Sequence, residues 1–171
     1  MPAETVPETR VEHEAFGREE RARRAWAVIA LFAVATALAT ALLTFPQDIQ
    51  TSGLAELQSK AQEARDFFTA DYVFIVLYGL LGPVALWRFG RAIGRDGHPP
   101  LWLRLGILFL AGGGIVDALE NTLIVLSLQA TGDGALVAAH ALAIPKYAFA
   151  FPGFALALVA LVRAIRSLAT R

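Results

Sequence analysis

The feature that most constrains this chain is an uncharged run at residues 26–45. As a helix rising about 1.5 Å per residue, these 20 residues cover about 30 Å, the thickness of the hydrocarbon core of a bilayer. Pro46 follows at once and ends the helix, because proline lacks a backbone N–H. A cleaved signal peptide is the alternative, but the preceding tail is long and the run exceeds the usual apolar region of a signal. The run therefore predicts a transmembrane helix.

Three further apolar segments follow, at residues 67–87, 105–128 and 135–162, with charged or turn-rich connections between them. Hydrophobic residues make up 56% of the 171 residues and charged residues only 18%, a more apolar balance than that of an ordinary soluble domain. We therefore predict an all-α fold, a polytopic membrane four-helix bundle, with residues 25–166 as the transmembrane domain.

Charged residues crowd the two ends of the chain. Residues 1–24 hold six glutamates and five arginines, which predicts a disordered cytoplasmic tail that becomes helical near the membrane, and residues 167–171 form a second tail. Of the 15 basic residues, 12 lie in the first tail, the second connection and the C-terminal end, and two lie in the other connections. Because basic residues accumulate on the inner side, both termini are predicted to be cytoplasmic.

The first connection, residues 47–66, carries a helical pattern. Glu56 precedes Lys60 by four positions, the spacing of an ion pair on one face of a helix. The apolar residues also recur at helical spacing: Leu54, Leu57, Ala61 and Ala64. We predict a short interfacial helix in this outer loop.

Charged residues also lie inside the predicted spans, where an ionised side chain costs at least about 2.5 kcal/mol on insertion scales. On the third span, Asp117, Glu120 and Asn121 fall on one face of a helix. Asp71 and Tyr78 share a face of the second span. The fourth span carries Lys146, at a depth similar to that of Asp117 to Asn121 on the third span. The predicted ligand-binding or charge cluster is Asp71, Tyr78, Asp117, Glu120, Asn121 and Lys146.

The predicted cluster is electrically unbalanced. Three carboxylates against one lysine leave two negative charges if all of them ionise, and a low-dielectric interior does not tolerate that excess. Protonation, a bound cation or cationic substrate, or enough water to hydrate the site would each resolve it. The alternative without a ligand is a structural ion pair that fixes the register of the helices.

Small residues and prolines predict close packing and irregular backbone around the cluster. The glycines at 112–114 either admit a neighbouring helix or loosen their own helix. Pro83 is expected to bend the second span, and Pro145 and Pro152 to free carbonyls beside Lys146. Two ridges of small residues predict close contacts of the first span: Ala33, Ala37 and Ala41, and Thr36, Thr40 and Thr44.

Several kinds of chemistry have no support in the chain. It contains no cysteine, which excludes thiol nucleophiles, disulfides and thiolate metal sites. The glycine triplet matches no phosphate-binding loop, because no strand precedes it and neither GKS nor GKT follows. No motif supports a metal site, and the cofactor and the catalytic residues stay unknown.

Composition also indicates a compartment and partners. Arginine far exceeds lysine and alanine is abundant, which is typical of a GC-rich bacterial genome, so we expect the bacterial plasma (inner) membrane. The expected partners are membrane lipids, and a second copy or another membrane protein. No nucleic acid is expected.

Three short motifs stand at matched depths: DYxFxxxY at residues 71–78, DxxEN at residues 117–121, and Lys146 alone. Over roughly residues 25–165 they resemble an uncharacterised group of small four-span bacterial membrane proteins. The resemblance implies a four-helix membrane bundle and brings no activity with it. In architecture alone, the chain is also similar to the emopamil-binding sterol isomerase superfamily, from which no residue carries over.

The cluster favours a binding or transport-like role, in which it captures or translocates a cation, a proton or a small amphiphile. One alternative is a membrane enzyme that acts on a lipid-like substrate, with Glu120 or Asp117 as acid/base and Lys146 holding the other carboxylate ionised. Another is a structural or assembly protein with no ligand.

Overall fold

The computed structural model of the protein describes residues 8–42 and 52–169, which form helices and short connections with no strand. The helices are α1 (Glu8–Leu42), α2 (Leu54–Ser59), α3 (Ala61–Ile75), α4 (Gly82–Ile93), α5 (Leu101–Ser127), α6 (Gly134–Ala141) and α7 (Ala143–Ala169). A π-helical turn, Val76–Leu81, joins α3 to α4. A 3₁₀ turn, Arg95–Gly97, lies in the connection to α5.

Four helical stretches are long and apolar enough to cross a membrane, by length and composition: Glu19–Thr40, Ala61–Ile93, Arg95–Ser127 and Gly134–Ala169. Each overlaps one of the predicted spans. Large apolar side chains remain exposed along them, among them Leu101, Ile144 and Phe151. Such a surface suits a lipid environment, because lipid tails are as apolar as these side chains. The predicted all-α four-helix bundle is confirmed, while the side of the termini and the kind of membrane stay predictions.

The first helix begins well before residue 26, where its span was predicted to start. Residues 8–25 continue α1 without a break, so the helix takes in much of the charged tail. Ion pairs at four-residue spacing stabilise this part: Arg24 lies 2.7 Å from Glu20, and Arg23 lies 3.5 Å from Glu19. Residues 1–7, residues 43–51 with the predicted helix end at Pro46, and residues 170–171 lie outside the described residues.

The bundle is arranged around α5. This helix contacts α3, the π-helical turn, α4, α6 and α7, whereas α1 packs on the outside against α3, α4 and α7. A Cβ on Gly114 would lie 2.6 Å from the Cα of Gly79, and a Cβ on Gly113 would lie 3.3 Å from the backbone nitrogen of Ala150. The glycine triplet therefore admits two neighbouring helices, and α5 itself stays continuous.

The predicted close packing of the first span is wrong. Among the ridge residues with described side chains, Ala33, Ala37, Thr36 and Thr40 are all exposed. The two threonine hydroxyls donate to carbonyls of their own helix, at Phe32 and Thr36. Only 11% of the most apolar window of α1 is buried, against 28–39% in the other three stretches, so α1 is the most loosely packed of the four.

The second and fourth spans are irregular near their prolines. Before Pro83, the Gly82 N–H donates to the Leu77 carbonyl, the longer-range bond of a π-helix, so the predicted disturbance takes the form of a π-helical turn. Before Pro145, α6 ends at Ala141 and α7 begins two residues later. Pro152 lies inside α7, which continues past it.

The predicted helix of the first connection is α2. Glu56 and Lys60 form the expected ion pair at 3.0 Å, and Leu57 is fully buried at the end of the bundle. The side-chain amide of Gln58 donates to the carbonyls of Ser127 and Ala130 and so caps the end of α5. The location of α2 at a membrane surface stays a prediction.

Candidate functional site

The central helix supplies half of the predicted cluster. Asp117 and Glu120 are each only 6% exposed and Asn121 is fully buried, although all three are polar. They share their face of α5 with Ile124, which is also buried, as the spacing predicts. The structure therefore places two carboxyl groups and an amide together inside the bundle.

Lys146 of α7 reaches this face and joins two carboxylates. Its Nζ lies 2.9 Å from Oδ1 of Asp117 and 2.7 Å from Oε2 of Glu120. The side chains are only 8–10% exposed, so the contact lies largely out of solvent. Two small residues on the same helix, Ala150 and Gly153, are buried where α7 approaches α5, since a Cβ on Gly153 would lie 2.9 Å from the Leu110 backbone nitrogen. One ammonium group thus serves two acids.

The π-helical turn contributes a hydroxyl group. Tyr78 donates a hydrogen bond of 2.7 Å to Oδ2 of Asp117, and both groups are buried. Its ring packs against Phe74 and Phe154, with centroids 5.1 and 5.2 Å away. Asp117 is therefore held on one oxygen by a cation and on the other by a neutral donor.

The third acid, Asp71 of α3, has a different environment. It is 7% exposed, and its Oδ2 accepts a 2.7 Å hydrogen bond from the Nδ2 of Asn121. Within residues 8–42 and 52–169, no basic side chain lies at ion-pair distance from Asp71. The structure thus separates the cluster into a lysine with two carboxylates and a carboxyl group that meets an uncharged amide.

One acceptor in the cluster lacks a donor. Oδ1 of Asn121 is buried and makes no hydrogen bond within the described chain. Oδ1 of Asp117 and Oε2 of Glu120 also make no hydrogen bond, but both atoms lie at ion-pair distance from Lys146. A buried acceptor without a partner costs about 1–3 kcal/mol, so this position favours a donor such as a water molecule or a protonated group.

A second contact between α3 and α5, beside that of Asp71 with Asn121, was not predicted. The hydroxyl groups of Tyr72 and Thr122 lie 2.7 Å apart. Each residue follows a cluster member directly, since Tyr72 comes after Asp71 and Thr122 after Asn121. The sequence signal for this contact was therefore a hydroxyl residue directly after the acid of the second span and another directly after the amide of the third span.

Apolar layers enclose the cluster on both sides. Toward the α2 end lies a layer of buried residues: Leu57, Ala64, Phe67, Phe68, Ile124, Leu136 and Ala139. Toward the other end lies a larger core that includes Ile75, Leu86, Phe89, Leu103, Leu110 and Ala157. The acids therefore have little water around them, and their excess negative charge is costly.

Metal binding has no geometric support in the described residues, where no group of three or more His, Cys, Asp or Glu side chains is placed to hold an ion. An apolar cavity of about 150 Å³ lies beside the cluster, between α1 and the rest of the bundle. Tyr78 lines it, but none of the three carboxyl groups does. The acids are therefore presented to one another rather than to this cavity.

The chain matches no protein-family model, no curated protein and no solved structure. The four apolar helices expected of the small four-span group are present, and membership of that group stays a prediction.

Proposed function

We propose that the protein is a multi-pass membrane protein that binds and releases protons at the buried cluster, in a transport-like role. The observation that carries the proposal is the environment of Asp71, a carboxyl group 7% exposed whose hydrogen-bond partner is a neutral amide. Within residues 8–42 and 52–169, an ionised carboxylate in such a place has no cation at ion-pair distance, and uptake of one proton removes its charge.

Asn121 suits a partner that changes its protonation state. Its NH₂ group donates a 2.7 Å hydrogen bond to Oδ2 of Asp71, the direction that an ionised carboxylate requires. After a half-turn of the amide, its carbonyl oxygen accepts from the O–H of the protonated acid. An amide can therefore donate to the ionised form of Asp71 and accept from the protonated form, whereas a lysine ammonium can only donate.

The ion pairs of Lys146 with Asp117 and Glu120 are assigned a separate role. We assign proton uptake to Asp71, because Lys146 contacts Asp117 and Glu120 and does not lie at ion-pair distance from Asp71. Tyr78 extends the network from Asp117 toward the apolar cavity. A proton that leaves Asp71 then has polar neighbours on α5 and the π-helical turn.

Proton binding fits this geometry better than the two alternatives. Acid/base catalysis on a lipid-like substrate needs a carboxyl group that faces the substrate, whereas Asp117 and Glu120 face Lys146 and do not line the apolar cavity. A purely structural ion pair accounts for Lys146 with one acid, but it gives no reason for a third buried carboxyl group.

The test is infrared difference spectroscopy of the purified protein in lipid vesicles, between mildly acidic and mildly alkaline solution. A protonated carboxyl group has a C=O stretching band that its carboxylate lacks, and we expect this band to disappear as the pH rises. Asp71→Asn should remove the change. Asp66→Asn is the matched control, because Asp66 lies on the same helix and is exposed.

Two results would contradict the proposal. One is a spectrum with no carboxyl band that responds to pH. The other is a band that persists in Asp71→Asn, which would assign the proton to a different group. In vesicles that contain a pH-sensitive dye, proton flux that depends on Asp71 would extend the proposal from binding to translocation.

A further inference from the structure

A groove with a basic rim runs between α1 and α4. Its volume is about 690 Å³. Four arginines line it: Arg23, Arg24, Arg88 and Arg91. Glu20 is the one acid among its described lining residues. The lining therefore carries three more positive than negative charges.

The rest of the lining is mostly apolar. Its large apolar members are Leu31, Leu81, Val84 and Trp87. Guanidinium groups beside an indole ring and aliphatic side chains are typical of the boundary between lipid headgroups and lipid tails. The groove thus offers positive charge and an apolar wall in the same place.

Among the described residues, two of the four arginines have no acidic partner. Arg24 pairs with Glu20 and donates to the backbone carbonyl of Arg88, which ties α1 to α4. In the part of the chain that the structure describes, neither Arg88 nor Arg91 forms an ion pair with a carboxylate, and the Nε of Arg91 donates only to the Gly97 carbonyl. Both side chains are therefore available to an anion, and guanidinium groups bind phosphate through paired hydrogen bonds.

The groove lies next to the apolar cavity beside the cluster. Leu31 and Ala85 line both spaces. The cavity beyond them has about 150 Å³ and is lined by apolar residues apart from Thr36 and Tyr78. A cavity of this size with apolar walls stays dry and accepts a hydrocarbon group. The two spaces together have a charged end and an apolar end.

We propose that this groove binds an anionic glycerophospholipid. Its phosphate lies against Arg88 and Arg91, and one acyl chain passes Leu31 and Ala85 into the apolar cavity. Inorganic phosphate would gain nothing from the apolar walls. A zwitterionic lipid would bring a cationic choline group beside its phosphate, which a lining with three excess positive charges disfavours relative to a headgroup that is anionic overall. The proposal does not depend on proton binding at Asp71.

Trp87 supplies the reporter, because it lines the groove and is partly exposed. In a variant with Trp26→Phe and Trp102→Phe it is the only tryptophan left. This variant is placed in phosphatidylcholine vesicles that contain a small fraction of either brominated phosphatidylglycerol or brominated phosphatidylcholine. Bromine quenches indole fluorescence on contact, so we expect stronger quenching by the anionic lipid.

The arginines are tested by charge-matched pairs of substitutions in the same background. Arg88→Gln with Arg91→Gln should lower the preference for the anionic lipid by about fivefold or more, the scale expected for loss of a basic contact near a membrane. Arg95→Gln with Arg104→Gln removes the same charge from exposed positions outside the groove and should leave the preference unchanged.

The acyl chain is tested by Ala85→Phe, which places a ring between the two spaces. We expect it to reduce quenching by lipid brominated along the chain. Equal quenching by the two lipids before any arginine is changed would overturn the proposal, and so would an equal loss in the two arginine pairs. Displacement of the brominated lipid by millimolar inorganic phosphate would also overturn it, because the ligand would then be the free anion.

Discussion

The strongest test of the charge cluster is the removal of its one cation. Lys146→Met keeps the length of the side chain and deletes the ammonium group that lies 2.9 Å from Asp117 and 2.7 Å from Glu120. Breaking a buried pair costs about 3–5 kcal/mol, because the partner keeps its charge without compensation. Since two acids lose their partner here, we expect the upper part of that range.

Removing the partners as well should reverse most of this loss. In a triple variant with Lys146→Met, Glu120→Gln and Asp117→Asn, neither buried acid of α5 keeps a charge, and neutral replacements of a buried ion group are often nearly neutral in stability. Glu120→Gln alone should cost much less than Lys146→Met, because Lys146 still has Asp117. The variants differ in charge while their volumes stay close to those of the original side chains.

Thermal unfolding in detergent measures these differences. For a chain of this size, 3–5 kcal/mol corresponds to a fall of about 6–20 °C in the unfolding midpoint. A fall of less than about 2 °C for Lys146→Met would refute the coupling described above. If the triple variant regains stability but loses the pH-sensitive infrared band of Asp71, the lysine pair acts on proton binding. If it keeps both, the pair has only a structural role.

Three further predictions concern two contacts and the membrane topology. Gly114→Ala should destabilise the protein by about 1–3 kcal/mol, since its Cβ would lie 2.6 Å from Gly79, whereas Gly132→Ala, with nothing within 4 Å, should be neutral; equal midpoints would contradict the close contact. Gln58→Ala should cost about 0.5–1.5 kcal/mol through loss of the cap on α5, measured against Gln62→Ala, which loses only an exposed bond to Asp66; no difference between the two would show that the cap is not needed. Reporter fusions after Arg95 and Arg171 should report cytoplasm and a fusion after Ser59 the outside, and a cytoplasmic signal at Ser59 would refute the predicted topology.

Much of the fold could be predicted because a membrane helix is specified locally. Long apolar runs predicted the number of spans, and the i, i+3, i+4 spacing of Asp117, Glu120 and Asn121 predicted their shared face. The tail was predicted to be helical only near the membrane, because its polar composition suggests disorder, whereas α1 begins at Glu8 and pairs at four-residue spacing stabilise it. The exposed threonine and alanine ridges show that small residues permit close packing without requiring it.

Depth along the spans predicts that Lys146 meets Asp117 or Glu120, because Asp71 lies further out, and the ion pairs confirm this prediction. That Lys146 meets both acids, and that Asp71 meets Asn121, could not be predicted. Those contacts depend on how α3, α5 and α7 are rotated about their axes, and side-chain spacing along one helix does not determine the rotation of another. The π-helical turn that carries Tyr78 to Asp117 escaped prediction for a related reason, since Pro83 indicates only that the regular bonding is disturbed nearby.

The position of the cluster along α5 bears on the membrane potential. From Glu120 to Ser127 the helix rises about 10 Å, and from Glu120 back to Leu101 about 28 Å. If α5 spans the bilayer, a proton that arrives from the Ser127 end crosses roughly a quarter of the electric field. One charge that crosses the whole field gains or loses about 2.3 kcal/mol per 100 mV, so this proton would gain or lose about 0.6 kcal/mol. Voltage would then change the occupancy of the site by about threefold per 100 mV, and proton uptake from the opposite end would respond far more steeply.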